Sequence, residues 1–341
     1  MVTIKDIATK LDVSPAAVSL ALNGKGRVSE EMRALIKTTA DEMGYVPSIA
    51  AKAMRTRHSN TIGVVVGTIN NEFFVKEIQA ISDVAAERGY SLFICDAGHD
   101  SRQATENIKA LRARGVDGII ISFGFYAGDD FIKEVMTCIG EGIRVISLTN
   151  SVTGEEIPTV HFSSKEQIDE VIGRMVKLGH REVGCLTSEK DTWLDENRFT
   201  LFRTSMEKLG IYKEENVVRF DIFEGKIDEK VRLLLDRNPN ITAIIAINDY
   251  VAVQAHKTLL EMGKRIPEDI SIVGFDGIAS AEYVTPSITT IATPEEIGTS
   301  AAKNLIEWLE APENGQPEDV SLPCTIRWRG SLDIKRKTEK V

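Results

Sequence analysis

Apolar positions in residues 3–23, TIKDIATKLDVSPAAVSLALN, fall at helical spacing in two short runs. Ile4, Ile7, Ala8 and Leu11 sit at i, i+3, i+4 and i+7, which predicts a helix with one buried stripe. Thr3 is placed to cap it, with Asp6 three residues on as the reciprocal partner. Asp12 and Val13 make the turn. Ser14 then caps a second helix, and Pro15 takes its first position, where the missing N–H has no intrahelical partner anyway. Val18, Ala21 and Leu22 face back to the first helix. Pro15, Ala16, Ser19, Leu20 and Asn23 share the opposite face, which is small and smooth enough to lie close to base edges in a DNA groove. A third helix is expected from Ser29 as cap to Gly44 as stop, with Met32, Leu35, Ile36 and Met43 turned inward. An ordinary three-helix domain would show the same pattern, so the spacing alone does not establish DNA binding.

Beyond residue 60 the period changes. Short β-branched runs, expected as strands near 62–66, 91–95, 118–122, 144–148, 160–162, 182–186, 217–220, 243–246, 271–274 and 289–291, alternate with amphipathic helices. IGVVV, DGIIIS and TAIIAI are apolar on both faces, which argues for parallel strands covered by helices on both sides. The helix–strand cycle is long enough for two doubly wound units, whose ligands bind at the carboxyl ends of the strands.

Charge separates these regions. Residues 1–60 carry nine basic and six acidic side chains, a net +3 in a chain of −10 overall, so the remainder holds −13. A mildly basic head on an acidic body suits a polyanion at one end only. The length of 341 residues implies more than one folding unit. Cys95, Cys138, Cys185 and Cys324 lie scattered in or beside apolar runs without metal or redox spacing, as buried thiols of a reducing compartment would. The polar, periodic opening is unlike a signal peptide, and no apolar run approaches the roughly 20 residues of a membrane span, so a cytoplasmic protein without membrane partners is expected. Gly63 and Gly67 bound a strand rather than a phosphate loop. The sequence has no GxGxxG, no HExxH, no nucleophile–base constellation and no metal spacing among its dispersed histidines. Neither catalysis, metal nor cofactor is expected.

TIKDIA, the run from Val13 to Glu31 with LNGKGRVSEE, EMGYVPS, NTIGVVV, NNEFF, ERGYSL, VDGIIIS, LGHREV, AINDYVA, IPEDISIVGFD and TPSITTI resemble, in this order, the lac repressor (LacI/GalR) family along the whole chain. The resemblance implies an N-terminal all-α helix-turn-helix DNA-binding domain followed by an α/β periplasmic-binding-protein-like core of two doubly wound parallel-sheet subdomains. The implied domains are 1–46 (DNA-binding head), 47–59 (hinge helix or linker), 60–334 (effector-binding core) and 335–341 (charged tail). Within the core one subdomain takes about 60–160 and 292–322, the other about 161–291 and 323–334. The tail is too short and charged for a tetramer-forming leucine repeat.

In that family the hinge is a helix that forms on DNA against the dimer mate. Ten or so residues are too few for a stable helix alone, so without the resemblance the stretch reads as a linker. Met54 matches the apolar side chain that wedges into the minor groove and bends the duplex. The candidate DNA-contact set is Thr3, Lys5, Ser14, Pro15, Ala16, Ala17, Ser19, Leu20, Asn23, Lys25 and Arg27 in the head, with Ala51, Met54 and Arg55 in the hinge. Three positions depart from the family pattern: Leu20 stands where many members carry a guanine-reading Arg, Ala17 replaces a common Thr, and Asp12 replaces the turn Gly. Much of the affinity is therefore expected from phosphate contacts and minor-groove deformation.

By the same resemblance, effector contacts lie between the core subdomains, at Arg198, Asn248 and Asp276. A carboxylate, a guanidinium fork and an amide suit a hydroxyl-rich ligand. Asn71 and the aromatic rings of Phe74, Phe123 and Trp193 complete the candidate set, although each aromatic alone reads more readily as core than as ligand contact. Arg198 could instead be a structural partner of Asp276. Gly277 replaces a frequent second Asp, and Asn70 and Glu72 flank Asn71 unusually, so the family does not fix the ligand. The expected function is a homodimeric, sequence-specific transcriptional regulator, by default a repressor, on near-palindromic double-stranded DNA. A small-molecule effector, expected to be a carbohydrate, gates it; a protein corepressor stays open. A transport solute-binding protein and a nucleotide-dependent α/β enzyme are the competing classes. The basic head opposes the first, and the missing phosphate loop the second.

Overall fold

The computed structural model describes residues 2–24, 26, 28–46, 58–122, 128–149, 157–189, 193–221 and 225–333; in the helix that begins at Trp193, side chains are described from residue 197 onward. The chain divides into two units, Met1–Ser59 and Asn60–Val341.

The first unit holds α1 (Ile4–Leu11), α2 (Pro15–Leu22) and α3 (Glu30–Glu42). The capping box forms as the sequence predicts. The Thr3 N–H donates to Asp6 Oδ2 at 2.8 Å, and the Asp6 N–H donates to Thr3 Oγ1 at 3.4 Å. The Thr3 hydroxyl, and after it the Thr3 N–H, both donating to Asp6 Oδ2, hold the Asp6 carboxyl below its usual range. Asp12 ends α1 at φ 54°, a left-handed position that a short polar side chain tolerates. Ser14 Oγ accepts from the Ala17 N–H at 3.1 Å, and Ser29 Oγ from the Met32 N–H at 3.3 Å. Ile7, Ala8, Val18, Ala21, Ile36 and Ala40 form the core. Leu35 is a correction, since it is 48% exposed rather than turned inward. The inward stripe runs through Ile36, Thr39 and Ala40, and Leu35 falls to its edge.

The second unit is built on two six-stranded sheets. The first, ordered β11-β5-β4-β3-β1-β2, comprises β1 (Thr61–Val66), β2 (Ser91–Asp96), β3 (Gly118–Ser122), β4 (Arg144–Leu148), β5 (Thr159–Ser163) and β11 (Val320–Pro323). All its pairings are parallel. Helices α4 (Glu72–Glu87), α5 (Ser101–Ala113) and α6 (Asp129–Gly140) alternate with its strands. The second sheet is ordered β12-β10-β9-β8-β6-β7, with β6 (Val183–Ser188), β7 (Val217–Phe220), β8 (Ala243–Ala246), β9 (Ser271–Asp276), β10 (Thr289–Ala292) and β12 (Thr325–Arg327). Here only β10·β12 is antiparallel. Its helices are α7 (Lys165–Lys177), α8 (Trp193–Lys208), α9 (Ile227–Arg237), α10 (Asp249–Glu261) and the short α11 (Ser280–Tyr283). Then α12 (Ile297–Glu310) returns to pack on α4, β3, β4 and β5. The doubly apolar runs are the buried central strands, as their patterning requires.

The chain passes between the sheets three times, after Ser163, after Ala292 and at Cys324. The crossings are bonded to their surroundings. The Cys324 N–H donates to the Ser163 carbonyl at 2.8 Å, and the Thr293 N–H to the Asp276 carbonyl at 3.2 Å. Strands β11 and β12 were not expected: they are short, and Pro323 and Cys324 interrupt the run. The sequence placed the β5 run at 160–162, whereas the strand extends one residue further at each end.

Candidate ligand site and nucleic-acid interface

Three of the expected ligand-site residues stand at the carboxyl ends of the second sheet. Asp276 closes β9, Asn248 precedes α10, and Arg198 comes from α8. The Arg198 Nη2 donates to Asp276 Oδ1 at 2.7 Å, and both side chains are only 3% exposed. The guanidinium lies 4.0 Å from the Phe275 ring centroid and 5.7 Å from that of Phe162, and its Nε has no hydrogen-bond partner among the described residues. Asp276 sits at φ 109°, outside the ordinary region for a residue with a side chain. Its carbonyl accepts from both the backbone N–H and Oγ1 of Thr293 on the crossing segment. Asp276 and the passage between subdomains are thus one structural unit.

Asn248 and Asn71 cap helices. Asn248 Oδ1 accepts from the Val251 N–H at 3.0 Å, and Asn71 Oδ1 from the Phe73 N–H at 3.0 Å. Each amide oxygen thus serves as a helix cap, and the amide N–H groups can only donate. Phe74 is buried, edge-on to Phe73 at 5.1 Å, and it fills the space that Gly67 leaves, where a Cβ would come within 2.8 Å of its ring. It is therefore a core ring in this conformation. Phe123 lies outside the described residues, as does the Trp193 side chain, although its backbone begins α8.

Two hollows open in the core, one of them against Arg198. One, of about 230 Å³, is lined by Thr149, His161, Phe162, Ser163, Ser164, Lys165, Asn197, Arg198 and Leu201. The other, of about 290 Å³, is lined by Thr68, Asn70, Asn71, Asp96, Gly98, His99 and, from the other subdomain, Tyr250. Sequence reading missed two buried acids, Asp249 and Glu77. Asp249 accepts from the Gly277 and Ile278 N–H groups at 2.7 and 3.0 Å, and so holds the loop that follows Asp276. Burial pushes its carboxyl up to about 7. Only glycine fits at 274, where a Cβ would meet Asp249 Oδ1 at 2.0 Å. Glu77 is 3% exposed, accepts from Ser122 Oγ, and is pushed by burial up to about 8. Its signal was present: a charged residue on the stripe Phe73, Phe74, Glu77, Ile81, Val84 breaks the apolar period.

In the head, Thr3, Lys5, Ser14, Pro15, Ala16, Leu20 and Asn23 are exposed, with Ala17 and Ser19 half-buried. The outer face of α2 is thus open, and Leu20, 43% exposed, leans on Gly26, where a Cβ would come within 3.1 Å. Lys25, Arg27, Ala51, Met54 and Arg55 lie outside the described residues. Edge strand β2 carries Phe93 and Ile94 exposed by 45% and 49%, with the Arg114 guanidinium 5.6 Å from the Phe93 ring. Burial pushes the Cys185 and Cys324 thiols up to about 12, which makes them poor nucleophiles. Among the described residues no helix is long and apolar enough to cross a membrane, and no three His, Cys, Asp or Glu are grouped to hold a metal ion.

The profile of bacterial regulatory proteins of the lacI family matches residues 3–48, and that of the periplasmic binding protein-like domain matches 172–332. The HTH-type transcriptional regulator DegA of Bacillus subtilis is 31% identical over 314 residues, covering 87% of this chain and 88% of that protein. A LacI family transcriptional regulator from Enterococcus faecium with bound ribose superposes with a TM-score of 0.69 at 28% identity, over 80% of this chain and 98% of that one. The lac repressor dimer bound to operator and an anti-inducer shares the fold, with a TM-score of 0.83 at 20% identity over 97% and 98% of the two chains.

Proposed function

This chain belongs to the lacI family of bacterial regulatory proteins, and from that premise we propose that it is a dimeric transcriptional repressor whose grip on operator DNA is set by a sugar or sugar derivative held between the core subdomains. The observation that carries this reading is the pairing, in one chain, of a capped helix-turn-helix with an open outer face and a two-sheet core that buries Arg198 against Asp276. A guanidinium and a carboxylate already bonded to each other at 2.7 Å are what a hydroxyl-bearing ligand can insert between. Arg198, Asp276, Asn248 and Asn71 are its polar contacts, with Phe123 and Trp193 as ring contacts. The head is 1–46, the hinge 47–59 and the sensor 60–334. The protein works in the cytoplasm and carries out no catalysis.

The test is retardation of the gene's own promoter fragment by the full-length protein, with and without ribose and other pentoses and hexoses. Retarded DNA released by one sugar supports the reading; a fragment that never shifts overturns it. Leu20 offers the groove only apolar contact, such as to a thymine methyl. Leu20→Arg is therefore expected to move operator preference toward guanine by about 1–3 kcal/mol at one position of each half-site, while nonspecific affinity changes far less. Binding-site selection on randomised duplexes reads this, and equal effects on cognate and scrambled DNA would contradict it.

The exposed Phe93–Ile94 edge is the dimer face in this proposal. A two-fold dimer presents two heads about one helical turn apart, which requires a near-palindromic operator. Phe93→Asp places a charge there and is expected to raise the dimer dissociation constant at least tenfold. Sedimentation over a concentration series measures it; an unchanged dimer would place the interface elsewhere.

A further inference from the structure

Glu77 lies on α4, in the subdomain of the first sheet, and its carboxyl faces the second subdomain. One oxygen accepts from Ser122 Oγ at the end of β3, and the other, Oε1, has no partner among the described residues. The helix cannot back away, because α12 packs so closely that a Cβ on Gly298 would come within 2.8 Å of the Glu77 carbonyl oxygen. Across the interface stand Asp276 on β9 and Arg198 on α8, the one repelling and the other attracting a charge on Glu77. Behind Asp276 is Asp249 on α10. On the crossing segment Glu295 is already paired with Lys76 at 3.1 Å and with Arg327 at 2.7 Å. The space between Glu77, Asp276 and Gly277 holds about 10 Å³, no more than a single water. Arg198 is bonded to Asp276, so an ionised Glu77 would set a second carboxylate against the first in a dry seam.

We propose that the two subdomains close with the uptake of one proton, held on Glu77, so that pH acts on the same open–closed equilibrium as the effector. This rests on the reading of the seam as an effector-gated cleft. Burial outweighs the Ser122 hydrogen bond and the Arg198 charge, and lifts the closed-state carboxyl from about 4.5 to about 8. Where the seam parts and water enters, the carboxyl returns to the lower value. The sign follows from the raised value: the closed form binds the proton more tightly, so acid favours closure. Below about pH 4.5 the closed-to-open ratio is at its maximum. From there to about pH 8 it falls tenfold per pH unit, and above that it is level. A neutral carboxyl can both donate and accept, so an uncharged polyhydroxyl ligand is accommodated with the proton in place.

The test uses full-length protein in a Cys95→Ser background, with spin labels on Asp130→Cys of α6 and Lys257→Cys of α10, one in each subdomain. Distances are recorded from about pH 5 to pH 9. The expected result is a long-distance population that grows with pH and follows one proton. Glu77→Gln, which keeps the size and the Ser122 contact, abolishes that dependence. The infrared difference between the two proteins at about pH 7 shows a protonated carboxyl in the wild type, with Asp249 cancelling because both proteins contain it. The same pH dependence in both proteins, or an ionised carboxylate in the difference spectrum, overturns the proposal. If Glu77→Gln fails to fold, a distance distribution in the wild type that is flat from about pH 5 to pH 9 overturns it equally. Neither readout involves DNA or a sugar, so a promoter fragment that never shifts would sink the regulatory reading alone.

Discussion

Asp276→Ala is expected to destabilise the sensor by about 3–5 kcal/mol, because it removes the carboxylate bonded to the buried Arg198 guanidinium, which has no second ion pair among the described residues. Transferring a charge out of water is costly unless its partner is present, and here both partners are 3% exposed. The loss should be a property of the orphaned charge rather than of the missing bond. Arg198→Met combined with Asp276→Leu is accordingly expected to recover most of the stability, since a buried ion pair replaced by apolar groups of similar volume is often neutral or better. Urea unfolding of the full-length proteins, followed by the far-ultraviolet signal of the sensor, gives the comparison. A single mutant within about 1 kcal/mol of wild type would mean that water reaches the pair. The double mutant should retain operator binding and lose its response to sugar, which separates the structural role of these side chains from the ligand contact proposed for them.

Ile36→Ala is expected to abolish operator binding while leaving the sensor intact. The head rests on six small or medium side chains, Ile7, Ala8, Val18, Ala21, Ile36 and Ala40, with Ile36 fully buried among them. A unit of this size holds on the order of 3–5 kcal/mol in total, and truncating a buried Ile removes about 2–5 kcal/mol. The variant therefore sits at or below its own unfolding point at working temperature. Gel retardation should show no complex, while the thermal transition of the sensor is unchanged, since Met1–Ser59 and Asn60–Val341 are separate units. Retained affinity would show that the head is held by something other than this cluster.

Much of the architecture was legible because it rests on local rules. The capping box at Thr3 and Asp6, the left-handed Asp12 and the Ser14 and Ser29 caps are short-range hydrogen bonds between adjacent residue types, and all formed as read. The doubly apolar strands announced burial on both faces. What remained hidden depends on distant partners. Strands β11 and β12 are stable only because β5 and β10 offer open edges, which a linear pattern does not display. The Arg198–Asp276 bond spans 78 positions, so both residues were legible while their relation stayed open between ligand site and mutual partner. Asp249 was read as part of a motif without a role, because that role lies in two backbone amides of another loop. Leu35 was misplaced because a stripe only a few residues wide has edges that spacing alone does not locate.

The threefold passage of the chain between the sheets has a consequence for synthesis. Neither half of the sensor is contiguous, and each awaits a strand drawn from residues 320–327. The ribosome therefore finishes the three head helices first, and a message broken before those last strands leaves each sheet of the sensor short of an edge strand.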